Sequence, residues 1–150
     1  GVALADGIVY AGDRSGRLYA VHTETGKILW VNETAGADLS STPSVAPGAI
    51  VFGSDDGKVY AVSRKSGRLL WAADTGGRPL SPVIAGSKVL AAADGTLYLL
   101  DLDNGGIMDQ VTLSDQLTSP SLAGELIILG TEEGYVMGLK AVHNIDSRKP

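Results

Sequence analysis

The sequence predicts an all-β chain assembled from about four similar units, each of four antiparallel strands. Three observations predict it: an internal repeat of about 40 residues, 20 glycines spread through 150 residues without a low-complexity run, and no sustained helical period. Glycine at about twice its usual share signals many turns, hence many short strands.

The repeat is read directly. Gly16-Arg17-Leu18-Tyr19-Ala20-Val21 aligns with Gly57-Lys58-Val59-Tyr60-Ala61-Val62 at an offset of 41 residues, and nine identities fall in the 25 positions from Asp6 to Trp30. At a further offset of 38, Gly86, Gly95, Leu97, Tyr98 and Gly105 answer Gly48, Gly57, Val59, Tyr60 and Gly67. A fourth copy begins at Gly124, reaches Gly134-Tyr135-Val136-Met137 and then stops matching. A period near 40 is that of four-stranded propeller blades.

Within each copy the elements follow in order. Short aliphatic runs at 8–11, 50–52, 89–91 and 126–129 are bounded by glycine and predict strands. Tight polar turns ending in glycine follow each of them, at 13–16, 54–57, 93–95 and 131–134, and return the chain as a second strand. After Thr25-Gly26, Ser66-Gly67 and Asn104-Gly105 a third strand is expected at 27–31, 68–72 and 106–111. The first strand of each next blade is marked by serine and proline, at 40–46, 81–85 and 119–123. Pro43, Pro82 and Pro120 cannot donate to a ladder, so each is expected at a strand start. The blades then run over residues 1–42, 43–80, 81–118 and 119–139, the last incomplete, with 140–150 as a non-repeating tail.

Tyr19-Ala20-Val21-His22-Thr23-Glu24-Thr25-Gly26-Lys27-Ile28-Leu29-Trp30 and Tyr60-Ala61-Val62-Ser63-Arg64-Lys65-Ser66-Gly67-Arg68-Leu69-Leu70-Trp71 resemble the PQQ-like, quinoprotein-type β-propeller repeat. Its pattern is an aromatic-Ala-x-Asp, then Thr-Gly-Lys and a tryptophan. The resemblance implies about four PQQ-like blades, half of a propeller of about seven or eight. It also implies that Trp30 and Trp71 dock against neighbouring blades, with Gly26, Gly67 and Gly105 in the docking turns. Two departures matter: the family's Asp is His22 and Ser63 here and returns only as Asp101, and Asp109 replaces the tryptophan of the third copy. The third junction is therefore expected to be weaker.

Signatures of chemistry are few. His22 aligns with Ser63 and Asp101, and His143 lies in the tail, so neither sits in a recognisable nucleophile-base-orienter set. Gly53 to Lys58 looks like a phosphate loop, but three residues separate its glycines where four are required, and Val59 replaces the magnesium-holding hydroxyl. Asp101-Leu102-Asp103-Asn104-Gly105 has alternating carboxylates, yet its glycine comes one residue early for a calcium loop and Thr112 stands where the twelfth-position Glu belongs. Both are read as repeated hairpin turns. No catalytic, cofactor-binding or metal-binding residue is assigned, and no cofactor.

Composition bounds the rest. Twelve Lys and Arg against 17 Asp and Glu give a net charge of −5, which argues against a nucleic-acid partner. The longest apolar run, five residues at 89–93, is far short of a membrane span. Absence of cysteine excludes disulfides and thiol chemistry, and with them the vicinal disulfide that caps the quinone in many quinone-binding members of the family. The chain opens at Gly1 with no export signal, so any such signal is expected outside it.

The resemblance implies a non-enzymatic scaffold for protein-protein interaction, of the outer-membrane assembly lipoprotein or sensor-ectodomain kind, periplasmic or extracellular. The alternative is a fragment of a PQQ-dependent dehydrogenase whose active-site residues lie largely outside this chain. The expected partners are proteins, with either a homodimer or missing blades completing the ring. A self-closed ring of four blades, in which Val2 to Ala5 pair with the strand around Val136, is the third arrangement considered.

Overall fold

The computed structural model describes residues 1–114 and 116–140. Most of the tail, His143 included, lies outside them. Among the described residues the chain is all-β: four antiparallel sheets of three or four strands, with no helix.

The first sheet runs β1 (Val2–Ala5), β2 (Ile8–Gly12), β3 (Leu18–His22) and β4 (Ile28–Asn32), in that spatial order. The second repeats it with β5 (Ser44–Val45), β6 (Ala49–Ser54), β7 (Lys58–Ser63) and β8 (Leu69–Asp74). The third has β9 (Val83–Ala85), β10 (Lys88–Ala93), β11 (Thr96–Asp101) and β12 (Ile107–Thr112), and the fourth β13 (Ser121–Ala123), β14 (Leu126–Gly130) and β15 (Val136–Lys140). Each sheet is a meander, and its hairpins follow from local turn chemistry. Asp6-Gly7 and Asp94-Gly95 have φ of 49° and 72°, and of 41° and 77°, the doubly positive geometry of a two-residue turn that Asp-Gly accommodates.

Two expectations are corrected. The innermost strands are shorter than 40–46, 81–85 and 119–123, because the leading residues of those segments are tied through serine side chains instead of a backbone ladder: Ser41 Oγ accepts the Gly53 N–H at 2.8 Å and donates to the Gly53 carbonyl at 2.9 Å within blade two, and the other ties cross between blades. Ser81 Oγ accepts the Thr42 N–H at 2.8 Å and Ser119 Oγ accepts the Ser81 N–H at 3.2 Å. Pro43, Pro82 and Pro120 consequently sit just before β5, β9 and β13. The four-bladed ring closed by Val2 to Ala5 is also overturned, since these residues pair as β1 with β2 of their own blade, Val2 opposite Ala11 and Ala5 opposite Ile8.

The core lies between the sheets. Tyr10, Leu18 and Ala20 of blade one meet Ile50, Phe52, Tyr60 and Val62 of blade two. Val51, Val59, Ala61 and Trp71 meet Val89, Ala91 and Leu100 of blade three. Leu90, Ala92 and Leu97 meet Leu129, with Ile127, Met137 and Leu139 packed beside it. Because blade two is covered on both faces, every residue of β6 is buried, whereas β15 alternates exposed and half-buried positions.

One irregularity recurs. Ala20 pairs with Trp30 but Val21 with Ile28, Ala61 pairs with Trp71 but Val62 with Leu69, and Leu99 pairs with Asp109 but Leu100 with Ile107. In each of the first three blades a single residue, Leu29, Leu70 or Met108, is extra to the ladder, a β-bulge immediately before the tryptophan position. The bulge turns the position after it toward the next blade, which is where the two indoles lie.

Candidate functional site

Of the residues singled out in the sequence, Trp30 meets Gly67 and Trp71 meets Gly105 between blades, whereas Gly26 has no such neighbour. Trp30 Nε1 donates to the Arg64 carbonyl at 3.1 Å, and its ring lies against Gly67, where a Cβ would stand 2.5 Å from Cε3. Trp71 repeats the arrangement one blade on: Nε1 donates to the Leu102 carbonyl at 2.8 Å, and a Cβ on Gly105 would stand 2.5 Å from Cε3. Trp71 is buried and Trp30 half-buried, the latter with the Tyr10 ring 5.9 Å from its own. Gly67 and Gly105 combine a close approach with φ of 68° and 73°, two reasons for glycine at one position. Gly26 has the same backbone geometry, φ 65°, but nothing within 4 Å of where its Cβ would be.

The first junction carries further polar ties. Buried Asn32 donates from Nδ2 to the Gly67 carbonyl at 2.8 Å, and Arg64 donates from Nε to Tyr10 Oη at 3.1 Å while its guanidinium pairs with Asp6. Sequence reading missed a second contact, made by Asp56. This carboxylate in the β6–β7 turn accepts the Tyr60 hydroxyl at 2.7 Å and, from the linker that follows blade one, the Gly36 N–H at 2.9 Å. Burial alone would raise the Asp56 pKa; hydrogen bonds from Tyr60, Gly36, Ser54 and Lys58 more than offset it and hold the group below its usual value. Burial and the hydrogen bond to Asp56 push the Tyr60 hydroxyl pKa up. The third copy also places the Asp94 carboxylate close against Gly77. The signal was present: Gly36 and Asp56 recur as Gly77 and Asp94 at the repeat offsets of 41 and 38.

The turn residues also diverge usefully. Asp101 Oδ1 accepts the N–H groups of Asp103 at 2.9 Å and Asn104 at 3.1 Å, so the carboxylate that looked like a calcium ligand closes its own turn. Ser63 Oγ accepts the Ser66 N–H at 3.4 Å. His22, the third of the set, keeps Nδ1 buried with no hydrogen-bond partner among the described residues.

At the third junction no indole is available. Asp109 is exposed on β12, its Oδ1 accepting the Gln110 N–H at 2.8 Å, and beside it lies a cleft of about 350 Å³ lined by Leu97, Leu99, Ile127 and Leu139 together with Lys88 and Lys140. Among the described residues both ends of the row are open. On blade one Val9, Ala11, Tyr19 and Val21 are only half-buried, although their repeat equivalents Ile50, Phe52, Tyr60 and Val62 are at most 5% exposed. On blade four Leu126 and Val136 face outward, Val136 77% exposed.

Four-stranded meanders packed face to face, with an indole of one reaching a glycine turn of the next, define a β-propeller of PQQ-type blades. The chain belongs to the family described as outer membrane protein assembly factor BamB, whose family model matches residues 1–136. Among solved structures it is similar to the computationally designed Ika8 protein (TM-score 0.84, 18% identity, covering 93% of this chain and 44% of that one) and to the computationally designed Ika4 protein (0.84, 18%, 93% and 88%). It is also similar to BamB from Moraxella catarrhalis (0.81, 21%, 93% and 44%). No curated protein matches. The chain thus spans less than half the length of the Ika8 and BamB chains, and at these identities the likeness shows the fold.

Proposed function

We infer that this chain is a non-enzymatic scaffold whose blade faces and rims bind protein, of the periplasmic outer-membrane assembly kind. The observation that carries the reading is the pair of open blade faces in a chain of the BamB family. Val9, Ala11, Tyr19 and Val21 with the unfilled turn at Gly26 form an acceptor surface, and Leu126 and Val136 form an apolar surface at the far end. Apolar faces of this kind bind other proteins or close a ring with further blades. In this reading the Trp30-on-Gly67 and Trp71-on-Gly105 contacts are the docking elements that hold the scaffold rigid, and Gly26 is the position that receives the same contact from outside residues 1–140.

The test has two arms. A photo-reactive residue at Val9 or Val136 is expected to give adducts with a second polypeptide, whether a further copy or a different protein, when the chain is expressed in the periplasm. Titration with PQQ and calcium is expected to give neither a quinone absorption shift nor a rise in Tm, because a ligand that binds only the native state must stabilise it. Saturable stabilisation by micromolar PQQ overturns the scaffold reading in favour of a dehydrogenase fragment.

A further inference from the structure

The third junction differs from the other two in one respect that has a chemical consequence. At junctions one and two the space between the outer strand of one blade and the next blade is filled by an indole of this chain. At junction three the corresponding position on β12 is Asp109, in the same ladder register opposite Leu99 that Trp30 holds opposite Ala20 and Trp71 opposite Ala61. The space beside it is a cleft of about 350 Å³ with Leu97 and Leu99 on one blade and Ile127 and Leu139 on the next, and with Lys88 and Lys140 also lining it. An aspartate side chain is too short to fill it. It does, however, place a carboxylate at the rim, and Oδ1 is already held by the Gln110 N–H, which leaves Oδ2 free to accept.

From this geometry we propose that the cleft at the third junction takes a tryptophan side chain presented in trans by a protein partner. The incoming indole lies against Leu97, Leu99, Ile127 and Leu139, and its ring N–H donates to Asp109 Oδ2 where those of Trp30 and Trp71 donate to backbone carbonyls. Size, wall chemistry and acceptor all match one group. Indole is planar, apolar over its faces and carries a single donor, and it is the group that the first two junctions hold. Aliphatic side chains would satisfy the walls but bring no donor to the carboxylate, whereas lysine or arginine would add a third cation to a cleft that Lys88 and Lys140 already line. The proposal rests on the scaffold reading in that it supplies the chemistry of one partner contact.

The probe is N-acetyl-tryptophanamide, titrated into the full chain and followed by two-dimensional methyl NMR. Saturable shifts at Leu97, Leu99, Ile127 and Leu139 are expected, with N-acetyl-leucinamide and the 1-methylindole analogue, which lacks the N–H, binding about tenfold more weakly. Asp109→Trp, which fills the cleft from within, is expected to abolish the shifts and to raise Tm. Asp109→Ala keeps the walls and removes the acceptor, so it is expected to bind the probe about tenfold more weakly and to lose the preference over the 1-methyl analogue. The proposal is overturned if the full chain shows no saturable shifts, whether residues 141–150 or a second copy fills the cleft, if the leucine probe binds as well as the tryptophan probe, or if Asp109→Trp binds as the parent does. Those outcomes leave the periplasmic crosslinks at Val9 and Val136 unaffected, so failure of this contact and failure of the scaffold reading are distinguishable.

Discussion

Trp71 occupies the space in which a side chain on Gly105 would begin: a Cβ there would stand 2.5 Å from the indole. The same is true of Trp30 and Gly67, and not of Gly26, although all three glycines share a φ of 65° to 73°. Gly26→Ala therefore reports the backbone cost alone, about 1 kcal/mol. Gly67→Ala and Gly105→Ala add overpacking of about 1–3 kcal/mol. Urea denaturation of the three variants is expected to rank them in that order, and equal losses would show that the indoles give way freely.

Removing the indole itself tests the junction from the other side. Trp71→Ala deletes a buried aromatic and its hydrogen bond to the Leu102 carbonyl, for an expected loss of about 3–5 kcal/mol. The half-buried Trp30 is expected to cost less. A loss below about 1 kcal/mol at Trp71 would refute its docking role.

One substitution is expected to stabilise. His22 holds a buried, unpartnered Nδ1 at the position where Asp101 closes its turn with two backbone N–H groups. His22→Asp supplies the missing acceptor and is expected to gain about 0.5–1.5 kcal/mol, seen as a rise of a few degrees in Tm. No change, or a loss, would mean that the first turn cannot adopt the Asp101 arrangement.

Acid should loosen the first junction through Asp56. Its folded pKa lies below the ordinary value of 3.8, so the group contributes stability that is present above about pH 4 and lost as pH falls through the folded pKa. Asp56→Asn should accordingly be less stable than the parent at pH 7, with the gap narrowing below about pH 4. Denaturant midpoints for both proteins at pH 7 and pH 3 check this, and a gap that does not change with pH would remove Asp56 from the account.

The two open faces should also govern solution behaviour. Light scattering coupled to size exclusion is expected to report self-association, most simply a two-fold dimer. A stable, monodisperse monomer of the 150-residue chain would show that the exposed faces do not seek partners. Charged substitutions at Val9 and Val136 are expected to weaken the association.

Much of this architecture was legible because it is periodic. The Tyr-Ala-Val triplets, the glycine turns and the two tryptophans recur at one spacing, and a spacing near 40 with turn residues at fixed offsets leaves few alternatives to stacked four-stranded blades. What was not legible depends on pairing between distant residues. The bulge at Leu29, Leu70 and Met108 leaves no mark in composition, since an extra residue in a ladder is defined only by its partner strand. Asp56 looked like one more acidic turn residue until the chain placed Gly36 against it. Ser81 and Ser119, read in the sequence as marks of a new strand, act as acceptors for a neighbouring blade's backbone. The exchange of tryptophan for Asp109 was visible in the sequence, whereas the cleft it leaves took shape only with the walls of blade four in place.

The junction has a direction. Blades one and two each offer a plug, the indole, at one side, blades two and three each receive it in a socket, the glycine turn, and plug meets socket in only one order along the chain. A unit copied in frame would therefore arrive with both fittings already matched to its neighbours, so such a chain can lengthen by duplication without redesign of any interface. Asp109 is where that grammar breaks off, a seam at which the row stops being self-similar and from which it should unzip first.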